Sequence, residues 1–320
     1  MGQKRPLRQD APLWVGLPEV RPVVAVSACL AGEPVRYDGR TKGMSWVMEV
    51  LAKELTLEPV CPEVGVGMPV PRPPIELVAK APAPQVRGVE DRHFNPTPRL
   101  QAFASQQSGW LKSNADGHIL KSRSPSCGLM RVPVAAWAGP SPQKKVGWGQ
   151  GVYAQGLQTH LPGFPLVEET RLVTALQREA FLVRVYAHAR LRQVLEDGPS
   201  PQKLLELWQQ YWLEGQLRAP RFYQTLRQVT DPQRFSAGFW SVMQQPVTQK
   251  GRQRVANLWL KGVAGPQVDS ALSVSLAQWI HGKGLRQAVG SSSEALLQNH
   301  SRFHPLRFHF WCPFPANLLG

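Results

Sequence analysis

The segment Pro22-Val23-Val24-Ala25-Val26-Ser27-Ala28-Cys29-Leu30 decides the fold, because a short β-branched run that ends in small residues is typical of a buried strand. Residues 31–43 contain glycines and a proline and are predicted to form a loop. Residues 44–55 carry apolar side chains at helical spacing, and Leu57-Glu58-Pro59-Val60 leads into Cys61 as a second strand. A strand, a loop, a helix and a strand in this order predict a Rossmann-like, parallel-sheet α/β domain.

The rest of this N-terminal domain is predicted from the same kinds of local pattern. The expected elements are an irregular Pro- and Gly-rich loop at 65–84, a helix at 100–111, a strand at 117–120, a flexible loop at 139–151 and a helix beginning at 152–157. The domain is predicted to close near residue 170.

The C-terminal region is predicted to be mainly α-helical. Apolar residues recur at three- and four-residue intervals over 171–195 and 202–229, and Asp197-Gly198-Pro199-Ser200-Pro201 separates the two stretches. From 233 to 320 the periodicity is weak and acidic residues are rare, so this tail is expected to be poorly ordered. We therefore predict three parts: an α/β domain at 1–170, a helical part at 171–232 and a diverged tail at 233–320.

Composition limits the class of protein. Hydrophobic residues make up 42% of the 320 residues, and four cysteines in this length do not indicate a secreted disulfide scaffold. The charged first ten residues contain no apolar signal segment, and no uninterrupted apolar run is long enough for a membrane span. We expect a cytoplasmic protein with no membrane contact.

The net charge favours anionic partners. Lysine and arginine outnumber aspartate and glutamate by 15, and the calculated isoelectric point is about 10.1. RNA, nucleotides and phosphates are partners of such a protein, so weak nucleic-acid contact through the basic surface is one interpretation. The other is that the arginines are scattered over solvated faces, since no dense basic block is visible.

Three cysteines stand where predicted strands give way to loops. Cys29, Cys61 and Cys127 occupy these positions, and ligands of open α/β sheets bind at the carboxyl ends of the strands. They could therefore meet in one crevice, although three independent core cysteines are the alternative. Neighbouring basic residues such as Lys121 and Arg123 would stabilise thiolates, and three thiolates could bind either zinc or an iron–sulfur cluster.

Five segments of the N-terminal region resemble the thiouracil desulfidase family. They are Val26-Ser27-Ala28-Cys29-Leu30, Val35-Arg36-Tyr37-Asp38-Gly39, Cys61-Pro62-Glu63-Val64-Gly65-Val66-Gly67, Pro71-Arg72-Pro73-Pro74-Ile75 and Ser124-Pro125-Ser126-Cys127-Gly128. The resemblance spans residues 20–170. It implies a [4Fe-4S] cluster whose iron is bound by Cys29, Cys61 and Cys127, with the fourth iron free of protein ligands.

The resemblance also implies a reaction and site residues. The family replaces the sulfur of a thiolated uracil with oxygen and releases sulfide, with the free iron as Lewis acid for the sulfur. It implies Glu63 as general acid/base and Ser124 as a group that hydrogen-bonds substrate or moves a proton. The loop residues that could contact a pyrimidine edge or a phosphate are Arg36, Asp38, Lys42 and Arg72.

Each of these residues also has a structural interpretation. Ser124 could cap the turn before Cys127, Asp38 could close a turn, and Arg72 could form a salt bridge that holds the proline-rich loop. Cys312 lies outside the motifs and is predicted not to be a ligand. The chain departs from the family at Asn95-Pro96-Thr97, where an aspartate is usual at the first position.

The second half resembles a diverged YbgA-type domain. Its junction would be Arg178-Glu179-Ala180-Phe181-Leu182-Val183-Arg184-Val185-Tyr186, and residues 203–228 resemble its first helices. Trp208, Gln210 and Tyr211 stand where histidines and a lysine are expected.

Three functions follow as hypotheses. The first is a cluster-dependent desulfidase for thiouracil or a thiolated nucleotide. The second is a basic RNA-associated protein that acts on or senses thiolated tRNA, and the third is a zinc protein with three cysteine ligands. The sequence does not determine the oligomeric state.

Overall fold

The computed structural model describes residues 20–137 and 145–254. These residues fall into two compact units, Arg21–Ala189 and the residues that follow from Arg190. The predicted α/β domain lies in the first unit, and the second unit is helical within the described residues. The fold class is therefore confirmed.

The strands of the first unit form two sheets. In chain order they are β1 (Val23–Ser27), β2 (Thr56–Val60), β3 (Ile75–Val78), β4 (Gln85–Gly88), β5 (Gly117–Leu120), β6 (Val132–Ala135), β7 (Lys145–Gly149) and β8 (Leu166–Glu168). The first sheet has the order β2-β1-β5-β8, and all of its neighbours are parallel. The carboxyl ends of these four strands therefore lie at one edge, as expected of a Rossmann-like sheet.

A second, mixed sheet was missed by the sequence patterns. Its order is β4-β3-β6-β7, with β3 parallel to β6 and the two outer pairs antiparallel. The irregular loop predicted at 65–84 contains β3, and the described part of the flexible loop predicted at 139–151 contains β7. Both strands are too short for alternation to identify them, and prolines or glycines surround them. Pairing with distant strands decides their structure.

The helices of the first unit cover the sheets. A π-helical turn, Trp46–Leu51, continues as α1 (Ala52–Glu54), and α2 (Pro62–Gly65), α3 (Thr97–Asn114), α4 (Val152–His160) and a 3-10 turn (Glu169–Arg171) follow. The side chains of Leu100, Ala104 and Leu111 are buried, which is the spacing of one helix face. This face is buried in the apolar core of the first unit.

The segment that departs from the family pattern begins helix α3. The side-chain oxygen of Asn95 accepts a hydrogen bond from the N–H of Thr97 at 3.2 Å. The Thr97 hydroxyl contacts both the N–H and the carbonyl of Val86 in β4. An asparagine thus supplies the acceptor oxygen that an aspartate would supply there, and the segment joins α3 to the second sheet.

The second unit is built from helices that begin with recognisable caps. α5 (Ala175–Glu196) runs from the first unit into the second, and α6 (Pro201–Gln210), α7 (Trp212–Arg218), α8 (Pro220–Leu226) and α9 (Pro232–Gln244) follow. The predicted break at 197–201 is confirmed, since the Ser200 hydroxyl accepts from the N–H of Lys203 at the start of α6. Trp208 and Tyr223 are buried and each donates to the other's backbone carbonyl at 2.8 Å.

The start of the predicted tail differs from the expectation. Helix α9 covers residues 232–244, and Asp231 caps its first turn by accepting from the N–H of Arg234. Phe235, Phe239 and Val242 are buried at helical spacing, so this stretch forms part of the second unit's core. The periodicity was missed because glycine and serine separate the aromatic residues. Residues 255–320, which contain most of the predicted tail, lie outside the described part of the chain.

No helix among the described residues is long and apolar enough to cross a membrane.

Candidate active site

Three cysteines lie on the wall of one cavity in the first unit. Cys29 follows β1, Cys61 follows β2, and Cys127 lies in the loop after β5. Because β1 is hydrogen-bonded to both β2 and β5 in parallel, the three loops begin at the same edge of the sheet. All three residues line a cavity of about 460 Å³.

Burial keeps the three thiols protonated in the metal-free protein. Burial, reinforced by the neighbouring Cys61, raises the pKa of Cys29 to about 11. Burial also raises the pKa of Cys61. Cys127 is 5% exposed, and burial raises its pKa well above the usual range. The Ser27 hydroxyl opposes this shift at Cys127 through a hydrogen bond. Binding of a metal to these thiols would therefore release protons.

The loop that carries Cys127 is held by a serine cap and by tight packing. The Ser124 hydroxyl oxygen accepts hydrogen bonds from the N–H groups of Ser126 at 3.2 Å and Cys127 at 3.0 Å. At Gly128, an added Cβ would lie 2.3 Å from Val132 Cγ2 and 3.0 Å from the Ser124 carbonyl oxygen. Ser124 therefore caps the turn before Cys127, which is its structural role, and it also lines the cavity.

Glu63 lies in the cavity wall with both carboxylate oxygens engaged. It stands in the first turn of α2, two residues after Cys61. Its Oε2 accepts from Arg72 Nε at 3.0 Å and Nη2 at 2.5 Å, and its Oε1 accepts from the Ser126 hydroxyl at 2.9 Å. The orientation of the carboxylate is thus set from two sides.

Arg72 joins this carboxylate to two loops. The residue is 7% exposed, and its Nη1 donates to the carbonyl oxygens of Val35 at 3.0 Å and Pro69 at 3.2 Å. The salt bridge to Glu63 is therefore the structural role that the sequence allowed for Arg72. Arg72 also lines the cavity.

The loop after Cys29 places two of its charged residues in the cavity wall and a third outside it. Arg36 and Lys42 line the cavity, and the N–H of Lys42 donates to the Cys29 carbonyl at 2.9 Å. The Asp38 carboxylate pairs with Arg36 at 3.2 Å and accepts from the N–H of Arg40 at 3.1 Å. Asp38 is absent from the residues that line this cavity, and it contacts one that does, Arg36.

An ion pair beside the cavity, between Lys121 and Glu169, was missed by sequence reasoning. Lys121, which lines the cavity, pairs with Glu169, and Glu169 also accepts from the N–H of Ser122 at 2.6 Å and its hydroxyl at 2.7 Å. Leu120 in β5 is opposite Glu168 in β8, so the residues after these two strands meet. The acidic pair Glu168-Glu169 at the end of β8 was the available signal.

The lining of the cavity is strongly basic. Its cationic residues are Arg36, Lys42, Arg72, Lys121 and Arg123, whereas Glu63 is the carboxylate among the lining residues. Arg72, Arg36 and Lys121 are paired with Glu63, Asp38 and Glu169, so Lys42 and Arg123 carry the lining charge that favours an anionic or electron-rich ligand.

The donor set suits an iron–sulfur cluster. Each thiolate of such a cluster binds a different iron, so its ligands stand apart around it, whereas a single zinc ion holds each sulfur at about 2.3 Å. Three thiols line a cavity of about 460 Å³, which leaves room for a group larger than a single ion. Across residues 20–137 and 145–254, no three His, Cys, Asp or Glu side chains are grouped so that they could hold a metal ion. Cys312 lies outside these residues.

The chain is similar to proteins of one family. Residues 24–169 match the family model described as 2-thiouracil desulfurase. The uncharacterised protein YbbK of Bacillus subtilis (strain 168) is 28% identical over 161 residues, which cover 47% of this chain and 97% of that protein. A solved structure of a [4Fe-4S]-dependent thiouracil desulfidase, TudS, is 31% identical, covers 48% of this chain and 93% of its own, and has a TM-score of 0.39. The family match ends at residue 169, so the YbgA-type domain stays a prediction.

Proposed function

Because the chain belongs, through residues 24–169, to the 2-thiouracil desulfurase family, we propose that it is a [4Fe-4S]-dependent desulfidase. In the proposed reaction, water replaces the thiocarbonyl sulfur of thiouracil or a thiolated nucleotide, a C=S bond becomes a C=O bond, and hydrogen sulfide leaves. No electron is gained or lost. One observation carries the proposal. Three cysteines that follow three adjacent parallel strands line one cavity, and Glu63 lines the same cavity.

Cys29, Cys61 and Cys127 would hold the cluster. When bound, it supplies an iron without a protein ligand, which acts as a Lewis acid towards the substrate's sulfur.

Glu63 is the proposed base for the attacking water. Its Oε2 is shared by two N–H groups of Arg72, whereas its Oε1 accepts one hydrogen bond from the Ser126 hydroxyl. Oε1 is therefore the oxygen better placed to take a proton from water and to return it to the departing sulfur. Arg72 and Ser126 act as positioning residues, because they hold this carboxylate without being the group that moves the proton.

Ser124 is the proposed hydrogen-bond donor to the substrate. A serine hydroxyl has one proton to donate and two lone pairs to accept with, and the N–H groups of Ser126 and Cys127 occupy the acceptor side. The proton of Ser124 thus remains for donation into the cavity. It would hydrogen-bond the ring oxygen or nitrogen of the pyrimidine.

The charges favour a thiolated nucleotide over the free base. Arg36, Lys42 and Arg123 line the cavity, and a phosphate is the anion that these cations would bind. Asp38 would orient the Arg36 guanidinium towards such a phosphate.

The proposal is tested by anaerobic reconstitution with iron and sulfide. We expect about four irons per chain, the broad visible absorption of a cluster, and release of sulfide from thiouracil and from thiouridine monophosphate. Cys127→Ser should lose both the absorption and the activity, whereas Cys312→Ser should keep them. Sulfide release at the wild-type rate by Cys127→Ser would refute the site, and a colourless protein that binds one zinc would refute the cluster.

A further inference from the structure

The second sheet presents two tryptophans to solvent on one face. Trp137 follows β6 and is 40% exposed, and Trp148 lies in β7 and is 50% exposed. At this exposure much of each ring contacts water and not the apolar core. Two exposed tryptophans on one sheet, which the core does not use, therefore indicate a binding surface.

The strand pairing shows which face this is. Val134 in β6 is opposite Leu77 in β3, and both are buried in an apolar core cluster, which defines the inner face. The preceding residue, Pro133, therefore points outwards and is opposite Trp148. Arg87 in β4 is opposite Glu76 in β3 on the same outer face.

Each tryptophan ring is flanked by two cations. Lys80 Nζ lies 4.0 Å from the centre of the Trp137 ring, and the Arg87 guanidinium lies 5.0 Å from it. Lys145 Nζ lies 3.0 Å from the Trp148 ring, and the Arg131 guanidinium lies 5.2 Å from it. We name these six residues the tryptophan platform: Lys80, Arg87, Arg131, Trp137, Lys145 and Trp148.

The acidic residue of these strands does not cancel the platform's charge. Glu76 is the carboxylate within the four strands, and it is paired with the Arg92 guanidinium at 2.5 Å. The Arg87 guanidinium already donates to Gln85 Oε1 at 2.6 Å and to the Arg92 carbonyl oxygen at 3.4 Å, so Lys80, Arg131 and Lys145 are the platform cations that would contact an anionic ligand.

We propose that the tryptophan platform binds single-stranded nucleic acid. Exposed aromatic rings stack on unpaired bases, and cations beside them contact the phosphates between those bases. Each ring lies next to cations on this sheet, as each base lies next to phosphates along a strand. The net charge of +15 on the whole chain supports the same class of partner. An acidic protein would satisfy the cations and would leave the rings without stacking partners.

This inference is independent of the desulfidase proposal. The six platform residues are absent from the lining of the cysteine cavity, and binding would need no cluster. A protein that binds nucleic acid and releases no sulfide would support the platform alone, and the reverse result would support the enzyme alone.

The test is fluorescence anisotropy of a labelled single-stranded oligouridylate, titrated with the full chain. The double variant Trp137→Ala/Trp148→Ala should weaken binding by about fivefold to a hundredfold for each ring, since base–aromatic stacking contributes about 1–3 kcal/mol per base and about 1.4 kcal/mol is tenfold. Phenylalanine at both positions should restore part of the affinity. Trp110→Ala is the matched control, because Trp110 is 36% exposed but lies in α3.

The salt dependence of the affinity distinguishes the contribution of the rings from that of the cations. Arg131→Gln/Lys145→Gln should reduce the slope of log affinity against log salt by about 0.7 for each lost phosphate contact, whereas the tryptophan variants should leave the slope unchanged. Desulfidase activity on free thiouracil should be unchanged in all of these variants. Unweakened binding by the double tryptophan variant would overturn the proposal, as would equally strong competition by polyglutamate or by a duplex of the same length.

Discussion

Replacement of Arg72 by methionine removes the cation that holds Glu63. Arg72 makes two hydrogen bonds to this carboxylate and one each to two backbone carbonyl oxygens, and its side chain is 3% exposed. The Glu63 side chain is 12% exposed, so the variant leaves a nearly buried carboxylate with Ser126 as its remaining donor. Loss of one partner of a buried ion pair costs about 3–5 kcal/mol, and we expect the free energy of unfolding of the first unit to fall by that amount.

A double-mutant cycle tests this value. The free energies of unfolding of the wild type, Arg72→Met, Glu63→Gln and the double variant are measured by urea denaturation and circular dichroism. The double variant contains no unpaired charge, so it should be more stable than Arg72→Met by about 1–3 kcal/mol. Arg72→Met could instead lower the free energy of unfolding by less than about 1 kcal/mol, or the effects of the two substitutions could simply add. Either result would show that the Arg72–Glu63 ion pair does not hold the Glu63 carboxylate.

Three further predictions concern the cavity. Gly128→Ala should lower the iron content after reconstitution, because its Cβ would lie 2.3 Å from Val132 Cγ2 and would displace the loop that carries Cys127. In the metal-free protein, the raised pKa of Cys29 favours the neutral thiol of the folded state, so the stability that this shift contributes should be present below pH 9 and should be lost as the pH rises towards about 11. Lys42→Gln should lower kcat/KM for thiouridine monophosphate by about tenfold to a hundredfold, and should affect free thiouracil less, since Lys42 lines the cavity and a charge-assisted hydrogen bond contributes about 1.5–3 kcal/mol.

Each of these predictions has a matched control. Gly147→Ala should keep its iron, because a Cβ at Gly147 meets no atom within 4 Å. The alkaline loss should be reduced in Cys29→Ser, and iodoacetamide should label Cys29 of the metal-free protein more slowly than a free cysteine at pH 8. Lys53→Gln, on the exposed surface of α1, should leave both substrates unaffected. Full iron content in Gly128→Ala would contradict the first prediction, and fast labelling of Cys29 would contradict the second. Equal loss for both substrates in Lys42→Gln would contradict the third.

The parallel sheet and the cysteine positions could be predicted because their signals are local. The run from Val23 to Ser27 is β-branched and ends in small residues, and the residues that follow include glycines and a proline. Each cysteine stands next to the end of such a strand. Once the strands are parallel, their carboxyl ends share an edge, and the order β2-β1-β5 brings the cysteines to one cavity.

The charged partners within the site could not be predicted in the same way. Ser126 and Glu63 are 63 residues apart in the chain, and Lys121 and Glu169 are 48 apart. Their pairing depends on which strands are neighbours, and serine, lysine and glutamate are frequent enough that no local pattern singles them out. The second sheet was missed for a related reason, since its central strands β3 and β6 are distant in sequence.

The sequence by itself therefore determined the α/β character of the first unit, the family of residues 24–169 and the cysteines that the family resemblance implies as ligands. Only the tertiary structure decided that Glu63 is held by Arg72 and Ser126, that Asp38 stands behind Arg36, and that two tryptophans share one exposed sheet face. The physical reason is the separation along the chain of the residues that interact. Side-chain periodicity of 2 or 3.6 residues is read from neighbours along the chain, whereas ion pairs and sheet faces depend on registers between strands that folding alone brings together.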